Sequence, residues 1–318
     1  MSVADTFVIN RNMQLYNETS GKGLLPNVAT IGFFDGVHRG HRFLIEQVRK
    51  AAAARGLASS VITFPVHPRK VMQSDFHSGL LTTCGEKVAL LADTGIDYCV
   101  MLDFTHDLAR LSARQFMAVL KQEYRVQALV IGYDHRFGYN RSEGFDDYVR
   151  YGQELGMEVI PAQAYAAGAV TVSSSTVRRL LQEGDVLEAA NCLGYHFFLD
   201  GTVVNGYRVG RKIGFPTANL RAGNPDKLVP ADGVYAVYVF LGEKKYAGML
   251  SIGFRPTLNN GVDRSIEVHI FGFDADIYNQ PMRVAFVRRT RSELKFGSIE
   301  ELIVQLHKDK AEITAILS

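Results

Sequence analysis

The feature that most limits how this chain can fold is a change of hydrophobic period near residue 194. Between Val28 and Pro161, short apolar runs alternate with stretches whose apolar residues recur at helical spacing. After Gly194 the short runs continue without helices between them. The first region predicts strands over 28–31, 59–64, 98–102, 128–131 and 158–161. Helices are expected from the Leu44, Ile45, Val48, Ala52 spacing, over 86–92, from Ser112 with Gln115 completing a capping box, and over 145–155. Such alternation builds a parallel, doubly wound α/β sheet with ligands at the carboxyl ends of its strands.

Two further helices follow, one capped by Ser173 and closed by Gly184, the other over 185–193. Strands are then expected over 197–204, 233–241, 246–252, 265–271 and 282–288, which argues for a mainly antiparallel β-barrel or sandwich. A terminal helix is expected at a Ser298/Glu301 capping box, with Ile299, Leu302, Ile303, Leu306 and Ile313 on one face. Two domains are expected: residues 1–184, and a linker helix with the barrel over 185–318.

Composition narrows the class. With 318 residues, 47% hydrophobic and 21% charged, the chain is globular and long enough for two cores. A formal net charge of +2 offers no electrostatic case for nucleic acid. No run approaches the ~20 apolar residues that span a bilayer, and Met1 to Asp5 lacks a basic region followed by an apolar run, so no membrane or secretory role is expected. The three cysteines, Cys84, Cys99 and Cys192, are scattered without metal spacing, as suits reduced thiols in a cytoplasm.

Three stretches carry chemistry. Gly32 to His41 (GFFDGVHRGH) links the first strand to the first helix. Its glycines admit close backbone approach, the helix start offers unpaired N–H groups, and His38 and His41 add donors, a combination suited to phosphate. Ser173-Ser174-Ser175-Thr176-Val177-Arg178 opens a later helix and makes a second hydroxyl-rich phosphate cradle beside Arg178. In the barrel region, Gly206 to Asn219 (GYRVGRKIGFPTAN) combines three further glycines with cations, but lacks the spacing of a Walker A loop. Alternation over 265–271 puts Glu267 and His269 on the face opposite Ile266, Val268 and Ile270.

The His-x-Gly-His of residues 38–41 resembles the nucleotidylyltransferase superfamily. The longer Gly-x-Phe-Asp-Gly-Val-His-x-Gly-His is similar to the bacterial bifunctional riboflavin kinase/FAD synthetases. Thr63-Phe64 with His67-Pro68-Arg69, the Gly132 to Gly138 loop, Val172 to Arg178, the intact Pro216-Thr217-Ala218-Asn219, Glu267-Val268-His269 and Arg291 with Lys295-Phe296 extend that resemblance over nearly the whole chain. It implies a nucleotidylyltransferase-like first domain that adenylylates FMN to FAD, and a barrel that phosphorylates riboflavin with MgATP. It further implies catalytic roles for His38, His41 and Glu267. Nucleotide contacts are implied at Gly32, Phe33, Gly40, Ser174, Ser175, Arg178, Gly210, Lys212, Gly214, Thr217 and Asn219. Mg²⁺ ligation falls to Thr217 and Asn219 on the ATP phosphates, and flavin contacts to Asp134 and Arg291. The implied partners are ATP, riboflavin and FMN. Two rivals are a non-catalytic flavin sensor, against which His38, His41 and Glu267 stand intact, and a nucleotidylyltransferase with an RNA-binding barrel, which the charge does not favour.

Overall fold

The computed structural model describes residues 13–17, 23–73, 79–132, 135–139, 141–165, 172–206, 209–256 and 262–318. They fall into two compact units. One runs to Ser78 and resumes over Thr82–Val172; the other takes Gly79–Leu81 and Ser173–Ser318.

In the first unit, β1 (Gln14–Tyr16), β2 (Asn27–Ile31), β3 (Ala58–Thr63), β4 (Tyr98–Met101), β5 (Val126–Ile131) and β6 (Glu158–Pro161) form one parallel sheet in the order β1-β4-β3-β2-β5-β6. The chain leaves β2 through β3 and β4 on one side and through β5 and β6 on the other. β2 is therefore the topological switch point, where open α/β sheets leave a crevice. All five of its residues are buried, as expected of a central parallel strand. The helices α1 (Arg39–Ala53), α2 (Pro68–Met72), α3 (Cys84–Ala92), α4 (His106–Ala109), α5 (Ala113–Glu123) and α6 (Phe145–Leu155) connect these strands. The core joins Ile31, Ile62, Val100 and Leu129 from the strands to Phe116, Met117 and Leu120 from α5.

Most expected elements are present, and α6 and β6 have the expected bounds. Just past β3, Pro68-Arg69 opens α2, with Pro68 in its first turn and His67 capping Arg69 N–H at 3.1 Å. Proline is well suited to that position because its missing donor would be unpaired there anyway. β1 was not expected: three residues, two of them exposed, leave no readable period.

The second unit holds α7 (Ser174–Glu183), α8 (Val186–Leu193) and a closed six-stranded barrel. Its strands are β7 (Phe198–Val204), β8 (Ala218–Ala222), β9 (Gly233–Leu241), β10 (Lys244–Pro256), β11 (Val262–Ile270) and β12 (Pro281–Arg291), in the order β10-β11-β8-β7-β12-β9. Closure removes the unpaired edges that an open sheet of this size would expose. α9 (Val209–Lys212) and α10 (Ile299–Leu317) complete the unit. β12 outruns its expected end because it bulges between Phe286 and Arg288 and again between Arg289 and Arg291, and each bulge breaks the two-residue period.

Ile299 was expected on the packed face of α10 but is 60% exposed; as the first residue of the helix it precedes the buried stripe. Asp309, in contrast, is 1% exposed. Its carboxylate accepts from Arg291 Nε at 3.0 and 3.1 Å and from Nη2 at 2.7 Å, tying α10 to β12. Removing one partner of a buried pair strands the other charge, at a cost of ~3–5 kcal/mol. Asp309→Ala is therefore expected to lower the unfolding free energy of the barrel by that order in urea denaturation. A loss below ~1 kcal/mol would class the pair with surface ion pairs.

Candidate active sites

β2 delivers the chain to the switch point at Gly32. Asp35–Val37 then make a single 3₁₀ turn, entered through Phe34 at φ 55° and containing Gly36 at φ 78°. Val37 sits at φ 35°. Left-handed backbone at a phenylalanine and a β-branched valine costs on the order of 1–3 kcal/mol per residue, and persists only where the surroundings over-determine it. Thr82 supplies part of that restraint. Asp35 Oδ1 accepts from Thr82 N–H at 3.0 Å and lies 3.1 Å from the Thr82 hydroxyl, which in turn accepts from Gly36 N–H at 3.1 Å.

His38 caps α1 through Nδ1, which accepts from His41 N–H at 3.2 Å. The two imidazoles stack with centroids 3.6 Å apart at 16°, and Phe34 meets His41 edge-on at 5.0 Å. Burial, then the neighbouring His38 and Lys87, hold the His41 imidazole well below the usual histidine range, so it is neutral at pH 7. A side chain at position 40 would begin 3.3 Å from the His38 ring and 3.6 Å from the Val172 carbonyl; glycine keeps that space open. Phe33 turns its ring onto His67, with centroids 4.6 Å apart. Gly32, Phe33, His38, Gly40 and His41 thus share one turn.

Ser174, Ser175 and Arg178 share the first turns of α7, which belongs to the other unit. Ser173 is the cap, its hydroxyl accepting from Thr176 N–H at 3.1 Å. Arg178 Nε donates to Gly79 O at 2.9 Å. Asp134 lies outside the described residues.

The barrel gathers a second set. Gly210 lies in α9, which Lys212 closes, and Gly214 turns the chain at φ 82°. Gly210 O accepts from Phe215 N–H at 2.9 Å, folding the glycine run back on itself before β8. Across β8 and β11, Asn219 pairs with Glu267 and Ala218 with Val268. Thr217 Oγ1 donates to Glu267 Oε2 at 3.1 Å. A Cβ at Gly206 would fall 2.1 Å from the Asn219 amide, so a side chain there would push that amide from its place. His269, 7% exposed, is joined through Nδ1 to Pro216 O at 2.8 Å. Burial first, with Lys310 adding, lowers its pKa, so the neutral ring donates this bond. Beside these residues lies a cavity of about 80 Å³, with Arg211, Thr217, Val268, Asp274 and Tyr278 in its wall.

Three oxygen-bearing side chains, Thr217, Asn219 and Glu267, therefore meet at one corner of the barrel. That donor chemistry suits a hard cation. Among the described residues, no cluster of His, Cys, Asp and Glu makes a self-sufficient metal site, so a cation held here would need further oxygens from phosphate. Arg291 is paired with Asp309 on α10.

A family model described as FAD synthetase matches residues 22–176, and one described as riboflavin kinase matches residues 193–317. The bifunctional riboflavin kinase/FMN adenylyltransferase of Escherichia coli K12 is 37% identical over 290 residues, spanning 91% of each chain. This chain belongs to the bifunctional riboflavin kinase/FMN adenylyltransferase family. Its counterpart from Listeria monocytogenes is 36% identical over 92% of this chain and 93% of that one. The crystal structure of a macrolide-efflux protein from Streptococcus pneumoniae superposes with a TM-score of 0.85 at 31% identity, covering 93% of this chain and 97% of that one. Efflux is said of that protein; among the described residues here, no helix is long and apolar enough to cross a membrane.

Sequence reasoning left Asp35 and Thr82 without roles, although Asp35 lies inside the Gly32–His41 run. The readable signal was Thr83 with Glu86, a capping box that opens α3 two residues before its expected start. It missed β8 because Asn219 and Arg221 interrupt the apolar pattern, leaving Leu220 as the strand's one buried residue.

Proposed function

We infer that this enzyme makes FAD in two steps, phosphorylating riboflavin to FMN and then adenylylating FMN with release of pyrophosphate. We assign adenylyl transfer to residues 1–184, and riboflavin phosphorylation to the linker helix and barrel of 185–318. The observation that supports the reading is where two of the motifs fall. The histidine turn sits at the switch point of the parallel sheet, while Thr217, Asn219 and Glu267 meet in the barrel.

In the barrel, Glu267 takes the proton of the ribityl 5′-hydroxyl as that oxygen attacks the γ-phosphorus of ATP, and the bond from that phosphorus to the β,γ-bridging oxygen breaks, so that ADP leaves. The Thr217 hydroxyl, already 3.1 Å from the carboxylate, holds it in place. Thr217 and Asn219 present oxygens to Mg²⁺ on the nucleotide, which supplies charge neutralisation when bound. Gly210, Lys212 and Gly214 receive the phosphates. Neither transfer needs a covalent nucleophile, so positioning and electrostatics carry the catalysis.

In the other half, Gly32, Phe33 and Gly40 let the second ATP lie against the turn. His38 and His41 donate to its α- and β-phosphate oxygens; Ser174, Ser175 and Arg178, at the start of α7, are assigned to nucleotide phosphate on the family pattern alone. Asp134 meets the flavin. Arg291 serves the barrel's flavin side through the segment it anchors to α10. The free thiols, two of them buried, suit a reducing cytoplasm.

Incubation of the purified chain with riboflavin, ATP and Mg²⁺, followed by chromatography, is expected to yield FMN first and FAD later. FMN without FAD would overturn the adenylyl-transfer half, and FAD from FMN but none from riboflavin would overturn the kinase half.

A further inference from the structure

Besides Thr82, a buried cation bonds the chain where it enters the strained histidine turn. Lys87, in α3, is 1% exposed. Its ammonium donates to Phe33 O at 3.0 Å and to Phe64 O at 2.7 Å, and lies 4.0 Å from the centroid of the Phe33 ring. Phe33 is the second residue after β2, and Phe64 is the first after β3. These adjacent parallel strands feed the loops that carry His38 and His41 on one side and His67 on the other. The same Phe33 carbonyl also accepts from the Thr63 hydroxyl at 3.1 Å.

Burying a lysine ammonium is costly, and a methionine of similar length would fill the same space without charge. Thr83, Glu86 and the α3 core secure the helix without it. A charge is kept where its partners are two main-chain carbonyls at the mouths of ligand loops. We propose that Lys87 is a positioning residue for adenylyl transfer, clamping the carboxyl ends of β2 and β3 so that the left-handed Phe34–Val37 backbone that leads into His38 and His41 is held before nucleotide arrives.

The inference rests on the assignment of adenylyl transfer to the histidine turn, and it deepens that assignment. Lys87 touches no reacting atom in this account. It fixes Phe33, and the turn from Phe34 to Val37 follows from that anchor together with the Thr82 bonds. Displacing reacting groups by about 1 Å costs on the order of 100-fold in rate, so the loss should appear in kcat more than in KM.

The clamp also has a titration of its own. Burial brings the Lys87 ammonium down to about 8. The charged and titratable groups around it are Cys84 on α3, Cys99 on β4, Asp35 in the turn, and His41. Burial raises the Cys84 thiol and pushes Cys99 up to about 12, while His41 lies well below 6.5. Lys87 is the group among these that loses its proton near 8. As pH rises through that value the ammonium becomes an amine, and the clamp weakens.

The test uses the full chain, with riboflavin phosphorylation as an internal control. Lys87→Met is expected to lower kcat for FMN-to-FAD conversion by roughly 100-fold, to change KM for FMN less than about threefold, and to leave riboflavin phosphorylation unchanged. In the parental chain, FAD synthesis should fall with an apparent pKa near 8, and riboflavin phosphorylation should not share that limb. This second readout stands even where the variant does not fold. A folded Lys87→Met chain with parental FAD output, or one alkaline limb common to both reactions, overturns the clamp. A parental chain that makes no FAD from FMN overturns instead the assignment beneath it.

Discussion

A chain carrying Glu267→Gln is expected to lose riboflavin phosphorylation by ~10²–10⁴ and to convert FMN to FAD at an unchanged rate. Glutamine has the same shape and keeps a carbonyl oxygen for the Thr217 hydroxyl, which now donates to Glu267 Oε2 at 3.1 Å. Register with Asn219 on β8 and Ser251 on β10 involves main-chain groups and survives the change. What disappears is the capacity to accept a proton from the ribityl hydroxyl. Rates of both reactions and a melting curve check this outcome together. A folded variant without either activity would show that one site serves both steps, contrary to the assignment by halves.

The double variant His38→Ala/His41→Ala is expected to stop FAD synthesis while FMN accumulates from riboflavin. As pyrophosphate departs, negative charge grows on the bridging and β-phosphate oxygens, and donors fixed in advance at a helix start stabilise it without reorganisation. One such donor is worth ~3–4 kcal/mol in comparable sites. Both histidines also shape α1, because His38 Nδ1 caps His41 N–H, and loss of a cap alone costs about 1 kcal/mol of stability. His38→Asn separates the two contributions. Asparagine is a strong N-cap, so this variant should keep the melting temperature and lose FAD synthesis. The neutral state of His41 sharpens the expectation further: its N–H acts as a dipole rather than a charge, so His41 itself should add no ionisation limb to the parental rate between pH 6.5 and 7.5. Near-normal FAD output from a double variant that merely melts earlier would leave both histidines as structure.

Local rules were legible wherever a segment satisfies its own polar groups. Ser112 and Gln115 close a reciprocal capping box at α5, and α6 ends at Gly156 in the left-handed conformation, because these bonds join residues three or four apart. At α10 the same rule was half right: Ser298 accepts from Glu301 N–H, but the Glu301 carboxylate reaches Gly297 N–H instead of the cap. The Gly32–His41 and Gly206–Asn219 runs were readable for a similar reason, since each brings its glycines and polar groups together within a few residues.

By itself, then, the sequence determined the parallel sheet, the mainly antiparallel strands of the second half, the helix caps and the two motif sets, all of which depend on periodicity and near neighbours. Tertiary structure alone decided which distant groups hold those motifs in working shape. Thr82 reaches Asp35 and Gly36, Lys87 reaches Phe33 and Phe64, Glu267 reaches Thr217, and Arg291 reaches Asp309. Each of these bonds links positions far apart in the chain. A lone lysine or aspartate has no period to announce its partner, and burial, which makes such a bond matter, exists only once the units have folded.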